Sequence, residues 1–107
     1  MEVFIKNKDL LKLYETGKSK KYPLPKNIID EFFYCMQVLS DSETIYDIFN
    51  DKSLHFEKLK GTEKSFSMRL NIKYRLEMDI DWKNQEEGWK QDETGNTQMK
   101  TEINQIK

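Results

Sequence analysis

The feature that most constrains this chain is a change of hydrophobic period near its middle. Between Ile28 and Leu39, apolar residues recur in steps of three and four: Ile28, Ile29, Phe32, Phe33, Met36 and Leu39. That spacing draws one apolar stripe along a helix. From Ser65 to Trp82 the period is two. Phe66, Met68 and Leu70 alternate with Ser65, Ser67, Arg69 and Asn71. Tyr74, Leu76, Met78, Ile80 and Trp82 alternate with Arg75, Glu77, Asp79 and Asp81. Successive strand side chains point to opposite faces, so these segments predict an antiparallel sheet with one face on a core and one in water. Helical stripes first and alternating strands afterwards define an α+β chain. Its N-terminal helices are expected on one face of a small antiparallel sheet.

The flanking segments complete this plan. Glu2 to Lys6 predicts a short strand rich in Val, Phe and Ile. Asn7 is a helix N-cap, followed by Leu10, Leu11, Leu13 and Tyr14 at helical spacing, and Gly17 is the stop. Pro25 suits the first turn of the long helix. Ser42 is expected to cap a short third helix carrying Ile45, Tyr46, Ile48 and Phe49, ended by Asn50-Asp51. Leu54 to Lys60 predicts a strand closed by Gly61. Gln98 to Ile106 predicts a last strand, with Met99, Thr101 and Ile103 at period two. Between them, residues 83–97 are polar and acidic, broken by Gly88 and Gly95, and predict a flexible loop. The whole length, 107 residues, suits one domain over 1–107.

Composition narrows the function classes. Aromatics at 12% argue against a disordered chain even with 35% charged residues. No apolar run reaches membrane-spanning length, so no membrane association is expected. The start, Met1 to Lys6, lacks the basic and apolar regions of a secretory leader, which predicts a cytoplasmic protein. Cys35 is the single cysteine and lies in an apolar helical stretch, where it reads as a small buried thiol. His55 is the single histidine. One His and one Cys do not make a zinc set, and four glycines form no phosphate-cradling loop. Neither metal nor cofactor is expected.

The two arginines are the informative residues, because the other sixteen basic side chains are lysines. A three-residue connection, Asn71-Ile72-Lys73, would pair Leu70 with Tyr74, Arg69 with Arg75 and Met68 with Leu76. That register keeps every apolar residue on one face. A two-residue connection would oppose Arg69 to Leu76, since a one-residue slip exchanges a strand's faces. Like charges directly opposite are unfavourable. Either an anion sits between the two guanidiniums, whose planar forks suit phosphate, or Arg69 is neutralised by reaching diagonally to Glu77. Lys60 is expected on a neighbouring strand as a third positive group.

From about Val3 to Ile106, nearly its whole length, this sequence resembles the HigB-type toxins of the RelE/ParE superfamily. Lys12 to Tyr22 resembles their first helix and basic loop, and Ile45 to Asn50 the segment before their sheet. Leu59-Lys60-Gly61, Phe66-Ser67-Met68-Arg69-Leu70-Asn71 and Tyr74-Arg75-Leu76-Glu77 follow that family's sheet motif in order and spacing. The resemblance implies a RelE-like fold and the toxin of a type II toxin–antitoxin module. Such toxins cleave mRNA on the ribosome without metal, activating a ribose 2′-hydroxyl against the adjacent phosphate. By that resemblance Lys60, Arg69 and Arg75 are the candidate catalytic residues. Lys18, Lys20, Lys21, Lys58 and Lys73 are candidate RNA contacts. The implied partners are a cognate helix-turn-helix antitoxin of the HigA kind, the ribosome and mRNA.

The sequence also departs from that pattern. Many relatives carry a His-Tyr pair at the end of the last strand, where this sequence has Ile103-Asn104-Gln105-Ile106-Lys107. Many have His two residues before the motif leucine, where Glu57 stands here; His55, two residues earlier, reads as a half-exposed structural histidine. The alternative expectation is therefore a weakened or inactive homologue that binds its antitoxin and modulates operon repression. A third, following the ParE branch, is a gyrase poison. Net charge is −1, from 18 basic and 19 acidic residues, which predicts weak, salt-sensitive affinity for free RNA.

Overall fold

A computed structural model of the chain describes residues 1–43, 45–62, 64–81 and 100–107. The elements run β1 (Glu2–Ile5), α1 (Lys8–Thr16), α2 (Lys26–Asp41), α3 (Ile45–Asn50), a 3-10 turn (Lys52–Leu54), β2 (Glu57–Lys58), β3 (Ser65–Arg69), β4 (Arg75–Asp81) and β5 (Lys100–Ile106). The five strands form one sheet in the order β1-β5-β4-β3-β2. This is the expected α+β architecture. The flexible loop expected over 83–97 lies outside the described residues, as do Trp82 and Met99.

Local chemistry explains the helices. Asn7 caps α1, its Oδ1 accepting from the Asp9 and Leu10 backbone N–H groups at 2.9 and 3.2 Å. Its amide nitrogen donates to the Tyr22 hydroxyl and to the Asn104 carbonyl, each at 3.2 Å, so one side chain joins helix, loop and β5. Gly17 ends α1 at φ 77, the left-handed conformation that favours glycine. Pro25 precedes α2 as its N-cap. Ser42 does not open α3. It closes α2, its backbone N–H and hydroxyl both turned back to the Val38 carbonyl.

One face of the sheet meets the helices. Phe66, Met68, Leu76, Met78, Ile80 and Ile103 pack with Leu10, Leu13, Ile28, Phe32, Leu39 and Ile48 in a single buried cluster. Burying such side chains contributes about 1.5–3 kcal/mol each relative to leaving them exposed. Cys35 lies fully buried in this cluster, and burial pushes its thiol up to about 12. It is the inert core thiol its position predicts.

Three strand details differ from expectation. First, β1 pairs parallel with β5, Val3 beside Thr101 and Ile5 beside Ile103, while all other pairs are antiparallel. Second, β4 and β5 shift register between Glu77 and Met78: Glu77 opposes Gln105, but Met78 opposes Ile103. Asn104 is the extra residue of a bulge, which lets Ile103 and Ile106 face the same core although they are three apart. Third, Leu54–Lys60 is not one strand. Asp51 caps the 3-10 turn at Lys52–Leu54, His55 turns left-handed at φ 47, and pairing is limited to Glu57–Lys58. Period-two apolar spacing at Leu54 and Phe56 hid a capped turn.

Candidate functional site

The site is built on the hairpin β3–β4. Its connection is Asn71-Ile72-Lys73, and the Asn71 side chain accepts from the backbone N–H groups of Lys73 and Tyr74, both at 2.7 Å. Leu70 N–H reaches the Tyr74 carbonyl at 2.9 Å. This turn sets the register that opposes Arg69 to Arg75 and Met68 to Leu76. The hydrophobic alternation therefore forces both arginines onto the face away from the helices.

The ladder adds a third cation. Arg75 and Lys107, the residue after β5, exchange backbone hydrogen bonds at 3.0 and 2.8 Å, so Lys107, Arg75 and Arg69 stand in one row. The next rows are acidic but engaged. Glu77 accepts from Gln105 at 2.6 Å, Asp79 from Ser65 at 2.6 Å, and Glu102 pairs with Lys6 at 2.6 Å. That Lys6–Glu102 contact raises the Lys6 ammonium above its ordinary range, through the hydrogen bond first. Sequence charges that cancel overall are thus segregated on this face, with positive charge at the hairpin end.

The two arginines have different surroundings. Arg75 lies back along the sheet. Its Nε and one Nη donate to the Ser67 hydroxyl at 3.0 and 2.8 Å, and the same Nη meets Glu57 at 2.8 Å. Ser67 is fully buried as a result, although it belongs to the face away from the helices. Arg69 has no carboxylate partner among the described residues; its Nη1 contacts His55 Nε2 at 3.4 Å. The diagonal Arg69–Glu77 alternative is not adopted, because Glu77 takes the Gln105 amide. Arg69 presents the open guanidinium, and Arg75 is the oriented one.

The lysines divide into groups. Lys73 is exposed at the hairpin, its Nζ 5.5 Å from the Tyr74 ring centre, and extends the basic end. Lys60 is not in a strand; it is exposed in the turn before Gly61, whose φ is 77. Lys58 opposes Phe66, so the strand directs it to the other face from the arginines. Lys18, Lys20 and Lys21 are exposed in the loop after α1, which Tyr22 tethers through Asn7 to β5. Among the described residues, no three His, Cys, Asp or Glu side chains converge as a metal-ligating cluster.

Sequence reading missed Ser67, Glu57, His55 and Lys107 as neighbours of the arginines. Ser67 and Glu57 were recoverable, since alternation puts Ser67 on the arginine face and pairing puts Glu57 beside it. His55 was not, because it depends on a left-handed turn. Lys107 was not, because the bulge at Asn104 sets its register.

The fold agrees with a family comparison. Residues 3–87 match the family model described as the RelE-like toxin, HigB, of type II toxin–antitoxin systems. The chain belongs to this family of toxins, and a type II toxin has a protein antitoxin as its partner. No curated protein matches the chain. No helix among the described residues is long and apolar enough to cross a membrane.

Proposed function

We propose that this toxin is a ribosome-dependent mRNA endonuclease working in the cytoplasm at the hairpin end of its sheet. The observation that carries the reading is the row Lys107–Arg75–Arg69, with Arg69 free of carboxylate partners among the described residues. Arg75 is paired with Glu57, while Arg69 beside it is left to favour an anion. A phosphodiester satisfies that demand. Attack of a ribose 2′-oxygen adds negative charge to the phosphoryl oxygens, and fixed guanidiniums stabilise that charge more than the ground state. Arg75 is held in place by Ser67 and Glu57, while Arg69 is open to reach the phosphate. Lys60 and Lys73 flank the row, and Lys18, Lys20 and Lys21 serve as RNA backbone contacts. The antitoxin is a helix-turn-helix protein of the HigA kind.

A net charge of −1 gives little long-range attraction to RNA. The ribosome then supplies the substrate positioning that the chain's own charge does not. A second reading rests on the Arg75–Glu57 ion pair, which already occupies one arginine. On that reading the protein binds its antitoxin and tunes repression without cutting RNA. Inducible expression separates the two. Growth arrest with cuts in translated mRNA supports the nuclease; normal growth at high expression with intact mRNA rejects it.

A further inference from the structure

We infer that β1 is a dimerisation edge, at which two copies of this chain join their sheets by antiparallel pairing of β1 with β1 about a two-fold axis at Phe4. The inference stands apart from the cleavage reaction. β1 ends the strand order, with β5 as its one neighbour in the sheet. The Lys6 N–H reaches the Ile103 carbonyl at 3.1 Å. Backbone groups alternate sides along a strand, so Glu2, Phe4 and Lys6 turn theirs to β5. The N–H and C=O groups of Val3 and Ile5 therefore point outward. No described residue bonds those four groups. A row of unpaired backbone groups is a template for another strand.

The sequence of this edge is complementary to itself. In an antiparallel pair, outward groups must meet outward groups. Three registers of β1 on β1 allow that: Val3 on Val3, Ile5 on Ile5, or Val3 on Ile5. Within β1, the last alone uses all four outward groups of each copy. It also sets Glu2 opposite Lys6 of the second copy, twice, and Phe4 opposite Phe4. The other registers set Glu2 or Lys6 against Phe4 instead. These are the non-hydrogen-bonded positions, where side chains approach most closely. Phe4 is 48% exposed on the face away from the helices, and the pairing covers it. Lys6 holds Glu102 at 2.6 Å, and its ammonium has donors left for a second carboxylate. The axis is perpendicular to the sheet, so the helices of both copies share one side. Both arginine rows share the other side, at opposite ends of the strands. Each copy uses its β1 edge in the pair, so the assembly closes at two. Four residues a side make a weak dimer, forming between about 10 µM and 1 mM.

Sedimentation equilibrium and amide hydrogen exchange on the purified chain, from about 5 µM to 1 mM at low salt, test this. The expected result is a monomer–dimer equilibrium in which the Val3 and Ile5 amides gain protection with concentration. The Phe4 amide, turned to β5, should be protected throughout. Glu2→Lys and Lys6→Glu each set like charges opposite one another twice, and each should raise the dissociation constant at least about tenfold. Mixed together, the two variants regain opposite charges at both positions and should pair with a constant near that of the wild type. Thermal melting verifies that each variant folds, and the wild-type exchange result stands without them. A chain that stays monomeric up to about 1 mM overturns the inference. So does a dimer whose Val3 and Ile5 amides exchange freely, since it uses another surface. Protection of those amides only when the antitoxin is added also overturns it, and assigns the edge to that partner. Folded variants that dimerise as tightly as the wild type overturn the register.

Discussion

Ser67 is the residue on which the orientation of the site turns. It is fully buried by the arginine it holds, accepting two guanidinium hydrogen bonds at 3.0 and 2.8 Å. These two charge-assisted hydrogen bonds fix the guanidinium's orientation, so losing them should free Arg75 to swing away from the row. Ser67→Ala is expected to lower cleavage by about tenfold, which is about 1.4 kcal/mol of transition-state stabilisation. Its folding stability should change by less than about 1 kcal/mol, because the freed guanidinium keeps Glu57 and gains water in place of the hydroxyl. Parallel rate and urea-unfolding measurements check both. Equal losses in rate and stability would mean Ser67 serves the fold rather than Arg75.

At the scale of elements, the segment from α3 to β2 places the histidine and glutamate. Asp51 organises it. Its carboxylate accepts from the Ser53 hydroxyl and backbone N–H, and from the Tyr34 hydroxyl of α2 at 2.5 Å. The Ser53 hydroxyl first and Tyr34 second hold the Asp51 carboxyl below its usual range. The same contact raises the Tyr34 hydroxyl above its own. A lowered carboxyl contributes stability above its unfolded pKa, near 3.9, and loses it as pH falls through the lower folded value. A raised phenol contributes below its unfolded pKa, near 10, and loses it as pH rises through the folded value. The stability gap between wild type and Asp51→Asn should therefore be constant from about pH 5 to 9 and shrink on both sides. A gap that does not vary with pH would contradict this. Aromatic stacking completes the segment: Phe56 lies 4.9 Å from Phe66 and 4.8 Å from Phe49, centre to centre. Phe56→Ala should cost about 3 kcal/mol by thermal or urea unfolding and displace Glu57 with it.

This segment also marks where sequence reading stops. The hairpin was legible because alternation over Ser65–Leu70 and Tyr74–Ile80 permits one register, and that register dictates the arginine pair. The α1 caps were legible because Asn7 and Gly17 act within a few residues of themselves. The turn at Lys52–His55 was not, since Leu54 and Phe56 mimic strand spacing while a carboxylate and a left-handed residue decide the backbone. Neither was the parallel β1–β5 pairing, which joins residues about a hundred positions apart and leaves no local signature. The candidate site was half readable for the same reason. Its arginines follow from local alternation, whereas His55 and Lys107 arrive through a turn and a bulge.

Across the whole molecule, scaffold and candidate site lie on opposite faces of the sheet. The helices cover one side of the sheet, and the other side sorts its charges, with engaged acids along most of its length and cations at the hairpin end. On the proposed function, this end cuts mRNA on the ribosome through Arg69 and Arg75. The most direct measurement is primer extension on a defined mRNA in purified translating ribosomes, with the wild type, Arg69→Ala and Arg75→Ala. Cuts are expected within the ribosome-bound mRNA, none in free mRNA, and at least about 100-fold slower cleavage by each variant. Wild-type protein that leaves the bound mRNA intact, or variants that cut as fast as wild type, would contradict it.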